Sequence, residues 1–195
     1  MTPILGIVAS GISGSKAITG AFYSIATVTG TGSSSTITFS SIPSTYKHLQ
    51  IRAIARQVSG GYSSQSPTIR FNGDTTAGNY NGHQLFGYNT SGSNFVVASA
   101  NGAILPRFVQ GSATASASMY GAVIVDIIDY ASTSKYKTIR AFGGNDTNGD
   151  ANGTNQIELD SALWMSTSAI SSITITEKNA QSFTTASTFA LYGIN

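Results

Sequence analysis

The sequence predicts an all-β protein in which antiparallel strands form a sandwich, and three observations support this fold class. Charged residues make up 9% of the chain and hydrophobic residues 41%. The surface must therefore consist of Ser, Thr, Asn and Gly rather than the charged residues that cover exposed helices. Short segments alternate between apolar and polar residues, as half-buried strands do. Clusters of Gly, Asn, Ser and Asp separate these segments and are typical of turns.

The chain of 195 residues has the length of one domain with a well-buried core. We predict an N-terminal arm over residues 1–20 and a β-sandwich domain over residues 21–195. Nine or ten strands are expected in this domain, because strand-like alternation recurs throughout it. The clearest candidates are residues 23–28, 36–40, 48–53, 68–71, 121–129, 138–142, 157–164, 170–176 and 189–194.

For two of these strands the sequence also predicts which faces are covered. The run from Gly121 to Val125 is apolar on both parities, which indicates a central strand covered on both faces. Glu158 and Asp160 share one parity of the strand at 157–164, and their charge predicts that this side faces solvent. This pair and the pair Asp126 and Asp129 are the candidates for the two carboxylates of glycoside hydrolysis. We interpret Glu158 and Asp160 as the solvated side of a strand.

Composition argues against several classes of function. The formal net charge is +2 and the basic residues are spread from Lys16 to Lys178 without a run, so we expect no nucleic-acid binding. Cysteine is absent, which excludes disulfides, thiolate zinc sites and cysteine nucleophiles. Only His48 and His83 could serve a serine hydrolase, and no G-x-S-x-G motif accompanies them. We therefore expect a protein that is not an enzyme and has no cofactor.

The first fifteen residues, MTPILGIVASGISGS, are apolar. They have no Lys or Arg, and one proline and three glycines interrupt them, so they fit neither a signal peptide nor a membrane span. Two readings remain open, a flexible arm and an arm that docks on another subunit. Docking would cover apolar side chains that are otherwise exposed. These side chains are Ile4, Leu5, Ile7 and Val8.

One loop has the pattern of a possible calcium site. Asp146, Asn148 and Asp150 place oxygen ligands at alternate positions around Gly149, and calcium prefers such ligands. The pattern departs from an EF-hand because the glycine follows the second ligand position and no glutamate stands at the twelfth. A long polar loop without metal is the alternative.

Aromatic residues in a Gly/Asn/Ser-rich region are candidates for contact with a receptor. Tyr62, Tyr80 and Tyr88 could stack on a sugar ring or anchor an interface. Phe86 and Phe95 lie in the same region. The alternative is that several of these rings cap the core.

Five segments in this order resemble small structural proteins of tailed bacteriophages, especially those of aquatic environments. The resemblance covers nearly the full chain. It implies a virion component with a jelly-roll-like β-sandwich that assembles as a homotrimer, and it carries over no functional residue. The segments are MTPILGIVASGISGS, ITFSSIPSTYKHLQIR (37–52), VIVDIIDYASTSKYKTIRAF (123–142), LWMSTSAISSITIT (163–176) and the closing STFALYGIN.

The resemblance leaves two positions in a virion. In the first, favoured by low charge and aromatic, Asn- and Ser-rich loops, the chain is a tail fibre or spike module that contacts the host surface. In the second it is a capsid decoration (cement) protein, in which the arm and an edge strand clamp neighbouring subunits of the head. Both have other virion proteins as partners.

Deletion of residues 1–20 tests the docking reading of the arm. We expect the truncated chain to keep the circular dichroism spectrum of the folded domain and to lose assembly into particles, because the arm lies outside the predicted domain. Incorporation at the level of the full chain would contradict this reading.

Overall fold

The computed structural model describes residues 21–59, 64–76, 78–89, 91–99, 102–111, 117–147 and 155–195. Over these ranges the chain forms fourteen β-strands and no helix, which confirms the all-β prediction. The strands are β1 (Phe22–Thr29), β2 (Thr36–Phe39), β3 (His48–Ala55), β4 (Ser64–Gln65), β5 (Thr68–Phe71), β6 (Tyr80–Tyr88), β7 (Ser91–Ser99), β8 (Ala103–Ile104), β9 (Val109–Gln110), β10 (Gly121–Ile128), β11 (Lys137–Asn145), β12 (Gln156–Trp164), β13 (Ile173–Thr176) and β14 (Thr188–Ile194).

Two antiparallel sheets pack as a sandwich. The large sheet has eight strands in the order β1-β14-β3-β10-β11-β12-β6-β7, and the small sheet has the order β2-β13-β5-β8. Strands β4 and β9 form a separate short pair. We call the face of the large sheet that packs on the small sheet the inner face, and the opposite one the outer face. This arrangement is compatible with a jelly roll without establishing that topology.

The core lies between the two sheets and is built from one parity of each strand. Leu49 and Ile51 of β3 and Ile173 of β13 are fully buried, so both sheets contribute to it. At one end the rings of Phe71 and Trp164 lie 5.4 Å apart across the sandwich. Such alternation of buried and exposed residues is what a sheet covered on one face requires.

The strand at 121–129 takes the central position expected of it. As β10 it lies between β3 and β11 in the large sheet. The prediction that this strand is covered on both faces was wrong for the single chain. Val123 and Val125 are buried on the inner face, whereas Ile124 is 44% exposed on the outer face.

Strands β6 and β7 were not anticipated, because glycine and asparagine are depleted in strands and suggested turns. They nevertheless pair in register from Tyr80 with Ser99 to Tyr88 with Ser91 at one edge of the large sheet. The part of the chain that the structure describes contains no helix that could span a membrane.

Candidate functional site

Strand β12 turns towards the core the side that its sequence predicted to face solvent. Glu158 and Asp160 are 2% and 3% exposed and point to the inner face, so the prediction that they face solvent was wrong. Ile157 and Leu159 point outward and are more than half exposed. The alternation was read correctly, but alternation alone does not say which parity is covered. The strand therefore places apolar side chains on the open side of the sheet.

Neighbouring strands continue this apolar surface across the outer face. Ile124 of β10 lies directly opposite Phe142 of β11, which lies opposite Leu159 of β12. Leu159 in turn lies opposite Leu85 of β6. Side chains paired in this way are in contact distance across antiparallel strands. We call these four residues the apolar row.

A basin lies beside the apolar row, two residues further along the strands. Its floor consists of Ala122 of β10 and Gly144 of β11, which are cross-strand partners. Ile54 of β3 and Ile157 of β12 flank them on the two neighbouring strands. The basin has a volume of about 910 Å³, which falls in the range of ligand and peptide pockets. It is far larger than the space of about 10 Å³ that lies beside Gln84 and Asp160.

Glycine is required at the floor of the basin. A Cβ atom on Gly144 would lie 2.0 Å from the carbonyl oxygen of Gln156, a distance that no side chain could occupy. The floor is therefore bare backbone at this point. Glycine inside a strand often marks a place where a ligand or another backbone approaches closely.

Polar groups close the basin where the strands end. Asn89, Tyr120, Asp146 and Asn155 line this side. Asn155 is held in place because its backbone N–H donates to Asn89 Oδ1 at 3.2 Å and its own Oδ1 accepts from the Thr147 N–H at 2.7 Å. An occupant would thus meet apolar walls and a rim of hydrogen-bonding groups, which is the usual composition of a binding pocket.

The described chain begins on the outer face, at the far end of the large sheet. The Arg52 guanidinium carbon lies 4.7 Å from the centre of the Phe22 ring and 5.3 Å from that of Tyr192. These cation–π contacts fix the start of β1. Phe22 pairs with Ile194, which pairs with His48, so β1 starts at the end of the sheet opposite the basin.

A cluster of buried polar side chains lies beneath β12 on the inner face. Glu158 accepts hydrogen bonds from the Arg107 backbone N–H at 2.9 Å and from Gln156 Nε2 at 3.1 Å. Its carboxylate also lies 3.9 Å from Arg107 Nε. Burial raises the pKa of Glu158, while the hydrogen bond and charge of Arg107 act in the opposite direction. Side chains from β12 and the 102–111 segment therefore meet through these contacts.

Asp160 is less well satisfied than Glu158. Its Oδ2 accepts from Gln84 Nε2 at 2.9 Å, whereas its Oδ1 is buried without a hydrogen-bond partner among the described residues. Burial raises the pKa of Asp160 to about 7, with a further contribution from the Glu158 charge. The space beside it measures about 10 Å³, which holds about one water molecule and no sugar ring. The geometry gives no support to a glycosidase role for this pair.

The structure does not bring the proposed receptor tyrosines together. Tyr80 is 1% exposed in the core, where its hydroxyl accepts the Phe71 N–H, so it is unavailable to a receptor. Tyr88 is half-buried at the other end of β6. Tyr62 lies outside the described residues. The alternative of a core role is confirmed for Tyr80.

The possible calcium site and the docking residues are largely untested. Asp146 is exposed at the rim of the basin, and Asn148 and Asp150 lie outside the described residues. Within the described ranges no group of three or more His, Asp or Glu side chains is placed to hold a metal ion. The docking candidates Ile4, Leu5, Ile7 and Val8 belong to a segment that the structure does not describe.

The two histidines lie in different environments. His48 Nδ1 accepts the Asp129 backbone N–H at 3.0 Å, and the Asp129 carboxylate binds Lys135 Nζ at 2.8 Å. This arrangement caps the turn after β10, where Asp129 has a positive φ of 52°. His83 is exposed on β6. The contacts of His48 are those of a turn, not of a nucleophile and its base.

Two sequence signals could have identified the outer face. The apolar run of β10 on both parities indicated a second covered face, and Gly143-Gly144 inside β11 indicated a close approach. What the sequence lacked was the strand order, which places the outward residues of β10, β11, β12 and β6 side by side. The site therefore exists only once the sheet has formed.

The buried carboxylates predict how stability depends on pH. The unfolded chain releases the Asp160 proton near pH 3.8 and the folded protein near pH 7, so unfolding is accompanied by proton release between these values. The contribution of Asp160 to the free energy of unfolding should therefore be complete below pH 3.8 and be lost as the pH rises to about 7, by roughly 2–4 kcal/mol. Asp160→Asn should reduce this slope in urea unfolding and make the protein more stable than wild type at pH 8.

Glu158 leaves a residual slope of the same sign in that variant, because its pKa is also raised. Ser161→Asn, at the adjacent exposed position, is the control and should keep the wild-type slope. Equal slopes for Asp160→Asn and wild type would contradict the assignment.

No family model, curated protein or solved structure matches this chain. Its function is therefore inferred from the composition of the chain and the geometry of the outer face.

Proposed function

We propose that this protein is a structural, non-enzymatic subunit of a tailed-phage virion that contacts other subunits through the outer face of its large sheet. One observation carries the proposal: six large apolar side chains on this face are each 44 to 58% exposed. They are Ile54, Leu85, Ile124, Phe142, Ile157 and Leu159. Contiguous apolar surface of this kind is typical of an interaction site.

The energetics indicate that the face needs a partner of substantial size. Complete burial of one such side chain stabilises a complex by about 1.5–3 kcal/mol, so covering six half-exposed ones contributes on the order of 5 kcal/mol. Loss of translational and rotational freedom costs about 4–15 kcal/mol on association. The six side chains alone give weak association, and further contacts are needed for a stable particle.

The resemblance to small phage structural proteins supports a virion as the assembly and a homotrimer as its unit. A tail fibre or spike that contacts a host-surface glycan and a capsid decoration protein are the two positions that it allows. The tail position was favoured by its loop aromatics, of which Tyr80 is buried. The apolar row supports contact with other virion proteins in either position, because it offers area rather than hydrogen bonds to sugar hydroxyls.

The location and copy number of the protein on purified virions test this proposal. We expect it in virions by quantitative mass spectrometry, at tens of copies if it belongs to the tail and hundreds if it covers the head, as symmetry requires. Cryo-electron microscopy would place the density. Absence from purified particles would overturn the proposal.

Polar substitution of the apolar row tests the role of the outer face. Phe142→Asn and Leu159→Asn should leave the thermal unfolding temperature close to wild type, because both side chains are already half exposed. They should lower the oligomeric mass in light scattering and reduce incorporation into virions, since the apolar contact is lost. Tyr136→Asn is the control, because Tyr136 is an equally exposed aromatic residue immediately before β11 and outside the apolar row. A wild-type oligomeric mass for both row variants would argue against this interface.

A further inference from the structure

We propose that the basin on the outer face binds residues 4–8 of a neighbouring copy of this chain, so that subunits are linked by exchanged N-terminal arms. This inference rests on the proposed function, since it names the part of a neighbouring subunit that covers the face. The observations that carry it are the chemistry of the basin, the sequence of the arm and the point at which the arm joins the domain.

The segment and the basin match in chemistry. Residues 4–8 read Ile-Leu-Gly-Ile-Val, and no charged residue occurs before Lys16. The basin offers Ile54, Ile124 and Phe142 as apolar walls. Its glycine floor allows a backbone to approach closely, and the amide groups at its rim can hydrogen-bond to peptide groups of the occupant.

The direction of β1 favours a neighbouring copy over the same chain. The strand starts at the end of the sheet opposite the basin and runs towards the basin end. Arg52 holds Phe22 at this start, 4.7 Å from the ring centre. A chain that continues β1 backwards therefore leads away from its own basin. It would have to reverse across its own outer face to reach that basin.

The linker is long enough for exchange. Thirteen residues, 9–21, separate the segment from Phe22, and they span at most about 43–47 Å when fully extended. The large sheet is only about 34 Å wide between its edge strands, since seven spacings of about 4.8 Å separate its eight strands. The segment can thus reach the basin of an adjacent subunit. Head-to-tail contacts of this type form a ring such as a trimer when the rotation between subunits closes, and an open filament when it does not.

A second copy packed face to face would fill the site less well. Its outer face carries the same row and the same basin, so the concave volume of about 910 Å³ would not be filled by a matching projection. An empty volume forfeits the contacts that make an apolar interface stable. A short peptide segment fits a concave site better than a flat sheet does.

The absence of cysteine makes disulfide trapping a direct test. Ile7→Cys places one thiol in the segment and Ala122→Cys places the other on the basin floor, where Ala122 is exposed. We expect the full-length double variant, mildly oxidised, to form disulfide-linked dimers and trimers on a non-reducing gel. The control pair is Ile7→Cys with Ser168→Cys, because Ser168 is exposed on the loop after β12, at the end of the sheet where β1 starts.

Each outcome decides the inference. Docking holds the two thiols at high effective concentration, so the 7–122 pair should crosslink about tenfold faster than the 7–168 pair. Loss of thiols without a gain in mass would mean that the arm binds its own basin, which overturns exchange. Equal crosslinking of both pairs, or free thiols in the 7–122 pair, would overturn docking in the basin.

A second variant addresses the basin without altering the arm. Ala122→Trp fills the floor from an exposed position and should lower the oligomeric mass to that of the chain lacking residues 1–20. A full wild-type mass would overturn the inference. Detection of the protein in virions without 7–122 crosslinks would reject exchange and leave the proposed function standing, whereas absence from virions would reject the function itself.

Discussion

Successive side chains of a β-strand point to opposite faces of its sheet. The large sheet has eight strands and the domain covers only one of its faces, so every second side chain lies on the uncovered face. The small sheet and the 102–111 segment pack on the inner face. Nothing among the described residues covers the apolar row on the other side. The position of the core, the buried carboxylates and the basin all depend on which parity each strand turns inward.

Strand β12 shows how strongly that choice is specified. A shift of one residue would bury Ile157 and Leu159 and expose Glu158 and Asp160, which hydrophobicity alone would favour. The observed register buries Trp164 against Phe71 and gives Glu158 two hydrogen bonds. Removing carboxylates from water is costly unless such partners are present. An apolar surface kept outside at this cost is consistent with a face that is covered in an assembly.

The sequence predicted the fold class and most strands because period-two alternation is a local property. It predicted the central place of β10 from a run that is apolar on both parities. It missed β6, where Asn81, Gly82 and Gly87 weaken the strand pattern. It could not supply the basin, whose walls Ile54, Ile124 and Phe142 are 18 to 88 positions apart in the chain, since no alternation reveals which strands become neighbours.

The strand order also determines when the subunit can fold during synthesis. β3 lies between β10 and β14, and among the described strands β1 pairs only with β14, which is the last of them in chain order. β1 therefore cannot pair until β14 is available, and pairing between strands so far apart in the sequence is slow. β1 therefore gains its described partner only after residues 188–194 have been synthesised, so this edge of the large sheet is completed late in folding.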